Sequence, residues 1–132
     1  MPFVRISLPK RFSQTTKENI STSVHHSLIQ EFNIPDNDYF HIIEELEPQQ
    51  IKFPEKYLEI NHTSDIVYIQ IIAGEGRTLE QKRNLYREIA TRIANSTNVT
   101  PNNIIIVLVE NDGGQNWSFG NGAIQEPKHL KK

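Results

Sequence analysis

The chain contains no cysteine. That absence excludes thiolate nucleophiles, thiolate metal sites and a disulfide framework. It also lacks an excess of charge: 14 Lys and Arg stand against 16 Asp and Glu, a formal net charge of -2. The basic residues are scattered, so there is no electrostatic footprint for nucleic acid or an anionic membrane surface, and neither is expected as a partner. No apolar run approaches the roughly 18 residues of a membrane span. The start, Met1-Pro2-Phe3-Val4-Arg5-Ile6, has no charged segment followed by an uninterrupted apolar stretch. A cytoplasmic protein is expected, and the Asn-x-Ser/Thr sequons at Asn61, Asn98 and Asn116 read as chance matches. His25, His26 and His62 match no metal-ligand spacing, and no metal is expected. At 132 residues the chain forms one domain, 1–132, long enough for a real core and too short for a separate cofactor domain. No cofactor is expected.

What the sequence does contain is a repeat. A displacement of 65 residues places Phe3, Val4 and Ile6 on Tyr68, Ile69 and Ile71, and Lys17, Ile20, Val24 and Leu28 on Lys82, Leu85, Ile89 and Ile93. It also places Asn33, Ile34 and Asn37 on Asn98, Val99 and Asn102, and Ile42-Ile43 on Val107-Leu108. The two units, 2–46 and 66–111, each read strand, helix, strand.

Local signals agree. Ile20, Val24 and Leu28 recur every four residues, as do Leu85, Ile89 and Ile93, which is amphipathic helix periodicity. The first helix is expected over about 16–32. The second starts at Thr78, an N-cap completed by Gln81 three residues on. Pro35 and Pro101 mark the turns that follow the helices. Residues 66–73 and 104–109 are nearly continuous apolar, β-branched runs, expected as inner strands with at least one face covered by helices. Two right-handed βαβ units then give an α/β fold, a four-stranded sheet with both helices on one face. The polar segment 47–63, with two prolines, connects the units, is expected to carry a short hairpin, and is a poor place for chemistry. The second sheet face is apolar on residues of 104–109 and is expected to be covered by oligomerisation.

Pro2 is the first candidate for chemistry. Methionine aminopeptidase removes Met1 before a small residue such as proline, so the mature chain is expected to begin with a secondary amine. An α-amino group titrates near 7.7 to 8.0; an apolar pocket lowers that value and a carboxylate raises it. Such a group suits proton transfer at neutral pH.

The pattern around it is more specific. Met1-Pro2-Phe3-Val4, the duplicated βαβ, Ile34-Pro35 leading to Asn37-Asp38, Gly76-Arg77-Thr78 with Glu80-Gln81-Lys82, and Val109-Glu110-Asn111 leading to Asn116-Trp117-Ser118-Phe119-Gly120 together resemble the tautomerase superfamily. The resemblance runs from Pro2 to about Gly122 and is closest to the malonate semialdehyde decarboxylase branch. It implies a tautomerase/MIF-like fold, a homotrimer and an N-terminal proline in each active site. It further implies that Arg77 holds a substrate carboxylate, as suits a guanidinium fork at a helix N-terminus. By the same resemblance Asp38 directs water or tunes Pro2, and Trp117 and Phe119 wall the substrate pocket, excluding water. The tail at 128–132 is expected to be mobile.

Two departures from the decarboxylase pattern bear on the reaction. Glu75 stands where that pattern has a second arginine, two residues before Arg77, and Tyr39, Phe40 and His41 stand where it has Arg, an aromatic and Gln. The substrate class implied is a small oxo acid. Neutral Pro2 would move a proton between carbon and oxygen in keto-enol tautomerisation, for example of an aryl-pyruvate. Cationic Pro2 would polarise a carbonyl in decarboxylation or hydration, with Asp38 directing water. A carboxylate at Asp38 or Glu75 favours the cation. A third reading, from another class, is a trimeric binding module without useful turnover.

Overall fold

The computed structural model describes residues 2–125; Met1 and the tail at 128–132 lie outside them. Strand β1 (Phe3–Pro9) leads to helix α1 (Gln14–Phe32) and β2 (Phe40–Leu46). The connection carries a 3-10 turn and two short strands, β3 (Lys56–Tyr57) and β4 (Ile60–Asn61), which pair as the expected hairpin. Strand β5 (Val67–Gly74), helix α2 (Leu79–Ser96) and β6 (Ile104–Asn111) complete the order. The main sheet runs β2-β1-β5-β6, with β1 parallel to β2, β5 parallel to β6, and β1 antiparallel to β5. β6 therefore lies at an edge, where the apolar run led us to expect an inner strand. Its two-sided apolar character has another cause: Ile104, Ile106 and Leu108 pack on the core, while Val107 and Val109 stand on the opposite, uncovered face.

Helix α1 begins two residues before its expected start. Ser13 caps it, accepting a hydrogen bond from the Thr16 backbone at 3.1 Å, and the polar Gln14-Thr15-Thr16 carries no apolar period to mark the first turn. It ends at Asn33, whose φ of 56° places it in the left-handed region that asparagine tolerates. In α2, Thr78 and Gln81 form the reciprocal capping box that the sequence predicts. Both helices pack their apolar stripes onto one sheet face. Val4, Ile6 and Leu8 of β1 and Val67, Ile69, Ile71 and Ala73 of β5 form a single core with Ile20, Val24 and Leu28 of α1 and Leu85, Ile89 and Ile93 of α2. Each buried Val, Leu or Ile side chain contributes about 1.5–3 kcal/mol through its removal from water.

The same contacts recur at the 65-residue displacement. Phe3 pairs with Phe40 and Tyr68 with Ile105. The Lys10 amide donates to the Leu46 carbonyl at 2.9 Å and the Glu75 amide to the Asn111 carbonyl at 2.8 Å. Asp38 closes a turn on the Pro35 carbonyl at 3.1 Å and Asn103 one on the Thr100 carbonyl at 3.0 Å. Lys17 of α1 reaches Glu45 of β2, as Lys82 of α2 reaches Glu110 of β6.

On the uncovered face, strand register aligns Phe40, Phe3, Ile72 and Val109 in one row and Ile42, Arg5, Gln70 and Val107 in the next. Phe40, Ile42, Val107 and Val109 are all exposed there. Among the described residues no helix is long and apolar enough to cross a membrane.

Candidate active site

One end of the sheet gathers the start of β1, the turn before β2 and the ends of β5 and β6. Pro2 is buried and immediately precedes Phe3, whose cross-strand partners are Phe40 and Ile72. Asp38, two residues before Phe40, is only 8 % exposed.

Arg77 lies in the turn between β5 and α2 and folds back across the end of α1. Its Nη1 donates to the Gly74 carbonyl at 3.0 Å and its Nη2 to the Phe32 carbonyl at 3.2 Å, with the guanidinium 4.8 Å from the Phe32 ring centroid. Burial lowers the arginine's pKa, while the nearby carboxylates of Glu110 and Asp38 raise it. Arg77 and Asp38 are thus within electrostatic reach of each other. A guanidinium carries five N–H donors, so two carbonyl bonds leave capacity for a further acceptor. Gly74 permits a close approach here: a Cβ would come to 3.3 Å from the Cα of Gly113, which would have to shift by a few tenths of an ångström. Glu110 faces two cations, because Lys82 Nζ also donates to it at 2.7 Å. The Glu75 side chain is exposed.

Trp117 and Phe119 occupy the segment after β6 and meet the uncovered face. Their rings stack at 5.5 Å and 6°, and Phe119 continues the ladder to Phe40 at 5.3 Å. Trp117 Nε1 donates to Asn111 Oδ1 at 3.0 Å. Among the described residues no hydrogen bond or ring contact joins this aromatic group to Arg77 directly; Asn111 touches both sides, through its side chain and through its carbonyl bond to Glu75.

The opposite end of the sheet is a useful contrast. At the 65-residue displacement Pro2, Asp38 and Arg77 correspond to Val67, Asn103 and Phe12. The Asn103 amide is consumed by Thr63, accepting from its backbone at 2.8 Å and donating to its hydroxyl at 2.9 Å. That end spends its polar residue on closing a loop, has Phe12 at the position of Arg77, and commits the neighbouring Arg11 to Ser64 and Asp65.

The histidines serve other contacts. His25 Nε2 meets the Asp36 carbonyl at 2.7 Å, His41 Nδ1 meets Ser21 Oγ at 2.9 Å, and His62 Nδ1 meets the Pro54 carbonyl at 3.2 Å. Among the described residues no three His, Asp or Glu side chains form a group that could hold a metal ion. Sequence reasoning did not assign roles to Phe40, Lys82, Glu110 or Asn111. The repeat held a signal for the last, since it matches Leu46 to Asn111, an apolar position replaced by an amide.

Comparison with known proteins finds relatives of the chain and of its fold. Two family models described as tautomerase enzyme match, one over residues 38–120 and the other over 2–59. The probable tautomerase YusQ of Bacillus subtilis (strain 168) is 38% identical over 95% of this chain and 98% of its own. Among solved structures, FG41 malonate semialdehyde decarboxylase inhibited by 3-bromopropiolate is 28% identical, with a TM-score of 0.85 over 92% of this chain and 91% of its own. The symmetric trimer of a wild-type fused 4-OT shares the fold, at 13% identity and a TM-score of 0.76 over 92% and 94% of the two chains. With a family model covering 38–120 and a relative of this identity aligned along nearly its whole length, the chain belongs to the tautomerase family.

Proposed function

We propose that this protein is a tautomerase acting on a small oxo acid, with the secondary amine of Pro2 as the proton-transferring group. The observation that carries the reading is the half-buried Arg77 guanidinium, flanked by Asp38 and Glu110 at the sheet end where β1 begins. A desolvated cation with unused donors favours an incoming carboxylate, whose charge offsets the cost of burial. With the carboxylate on Arg77, neutral Pro2 removes the proton from the carbon beside the carbonyl. The electron pair of that bond becomes the C=C of the enol, the carbonyl oxygen takes the proton back from the Pro2 ammonium, which returns to the neutral amine, and the reverse path regenerates the keto form. Trp117, Phe119 and Phe40 form the apolar side of the pocket and keep water from the enolate. No cofactor is needed for these steps.

Decarboxylation or hydration is the second reading. The likeness to FG41 malonate semialdehyde decarboxylase and the electrostatic proximity of Asp38 to Arg77 favour it. In that chemistry Pro2 stays protonated and stabilises the enolate left by loss of carbon dioxide, and Asp38 directs water.

We also infer a homotrimer. Phe40, Ile42, Val107 and Val109 leave the uncovered sheet face apolar, and the fused 4-OT that shares the fold is a symmetric trimer. A face of this kind is stabilised by burial against copies of itself.

The test is turnover of phenylenolpyruvate and of malonate semialdehyde by the mature protein, after mass spectrometry has verified loss of Met1. Wild type is expected to turn over one of them, and Pro2→Ala to lose about 10²- to 10⁴-fold in kcat, the range general acid–base groups contribute. Equal rates in the two proteins, or no turnover of either compound, overturn the catalytic reading and leave a binding module.

A further inference from the structure

We propose that Asn111 is a positioning residue that couples the Arg77 turn to the aromatic wall; its role in substrate binding rests on the oxo-acid reading above. Asn111 ends β6 opposite Gly74 of β5. Its carbonyl accepts from the Glu75 amide at 2.8 Å, holding the start of the turn that carries Arg77. Its side-chain Oδ1 accepts from Trp117 Nε1 at 3.0 Å, and Trp117 in turn stacks on Phe119, which reaches Phe40. Phe119 is fixed from the other side, where its amide donates to Gln125 Oε1 at 2.7 Å. One residue at a strand end therefore sets both the cation turn and the orientation of the rings.

The molecule contains its own control. Leu46 holds the corresponding place in the first βαβ unit, where its carbonyl accepts from the Lys10 amide at 2.9 Å. The backbone bond that closes the strand end thus needs no amide side chain. Asparagine is moreover a poor strand residue, so its presence at position 111 answers a demand other than strand formation. That demand is the indole N–H, a donor without acceptor capacity, which Asn111 Oδ1 satisfies and thereby orients.

Asn111→Leu, which installs the first unit's residue, and Asn111→Asp, whose carboxylate accepts the same N–H, separate positioning from folding. Trp117 is the sole tryptophan, so its fluorescence reports the tether without any substrate. Asn111→Leu is expected to keep the wild-type unfolding midpoint, to shift Trp117 emission to the red with increased acrylamide quenching, and to raise KM for phenylenolpyruvate about 3- to 10-fold with kcat little changed, the scale of one hydrogen bond. Asn111→Asp is expected to restore emission and KM together. Trp117→Phe should reproduce the KM defect, and adding Asn111→Leu to it should cost nothing more. Unchanged emission in Asn111→Leu, failure of Asn111→Asp to restore it, or additive losses in the double variant would overturn the tether. If wild type turns over no oxo acid, the functional reading falls, and the emission of the Leu and Asp variants still decides the tether.

Discussion

Arg77 is half-buried, burial lowers its pKa, and its bonds make it sensitive to substitution. Two of its donors hold the Gly74 and Phe32 carbonyls, so a replacement must satisfy those carbonyls as well as any substrate. Arg77→Gln is expected to raise KM for an oxo monocarboxylate about 10- to 100-fold, the equivalent of a charged hydrogen-bonded pair at about 1.5–3 kcal/mol. Arg77→Lys should not rescue it, because an ammonium lacks the planar fork that reaches two carbonyls and a carboxylate together; steady-state kinetics of both variants checks this, and a lysine variant with the wild-type KM would contradict it. Pro2, Asp38, Arg77, Trp117 and Phe119 were candidates from the sequence because they belong to short local motifs, and their roles here are proposals. Asn111, Glu110 and Lys82 were not, because their roles lie in partners distant along the chain: Lys82 meets Glu110, which Arg77 also faces, and Asn111 meets the turn after β5. Nothing in the residues around such a side chain marks its partner.

The seam between α1 and β2 carries a pH dependence. His41 of β2 is packed against α1, where Ser21 Oγ bonds its Nδ1 and the rings of His25 and Tyr39 close the site, His25 at 6.1 Å from His41 and 4.9 Å from Tyr39. Burial, and then the charge of His25, push the His41 pKa down to about 4. The unfolded chain takes up that proton near pH 6.5 while the folded chain resists until about 4, so between those values the unfolded state binds more protons and stability rises with pH. The contribution is complete above 6.5 and is lost as pH falls toward 4. Thermal unfolding across that window is expected to show a steeper fall of Tm with acidification for wild type than for His41→Gln; parallel profiles would contradict it. At the helix starts, Ser13→Ala and Thr78→Ala should each cost about 1 kcal/mol in urea unfolding through loss of the cap. Element type and order were readable because Ile20, Val24 and Leu28, and Leu85, Ile89 and Ile93, carry an unbroken helical period. The start of α1 was not, since Ser13 acts through a backbone bond and Gln14-Thr15-Thr16 has no apolar stripe. The edge position of β6 was hidden too, because Val107 and Val109 present to the uncovered face the same apolar character that an inner strand presents to a second layer.

For the whole molecule, the recurrence of caps, turns and ion pairs at one displacement gives a sheet with matched ends, of which only one carries Pro2, Asp38 and Arg77. Its uncovered face is the surface proposed to join three copies. Val107 stands on that face, 52 % exposed, so Val107→Lys should fold and yet sediment as a monomer in analytical ultracentrifugation, since a buried unpaired ammonium opposes assembly; an unaltered trimer would place the interface elsewhere. Whether Pro2, Asp38 and Arg77 form one site is tested most directly by a nitrogen-15 NMR titration of the mature N-terminal proline in wild type, Asp38→Asn and Arg77→Gln. An anion favours the protonated amine and a cation opposes it, so the midpoint should fall on loss of Asp38 and rise on loss of Arg77, and a wild-type value well below 7 would select the neutral amine of tautomerisation over the cation of decarboxylation. A proline nitrogen that does not titrate, or a midpoint indifferent to both substitutions, would contradict the shared site.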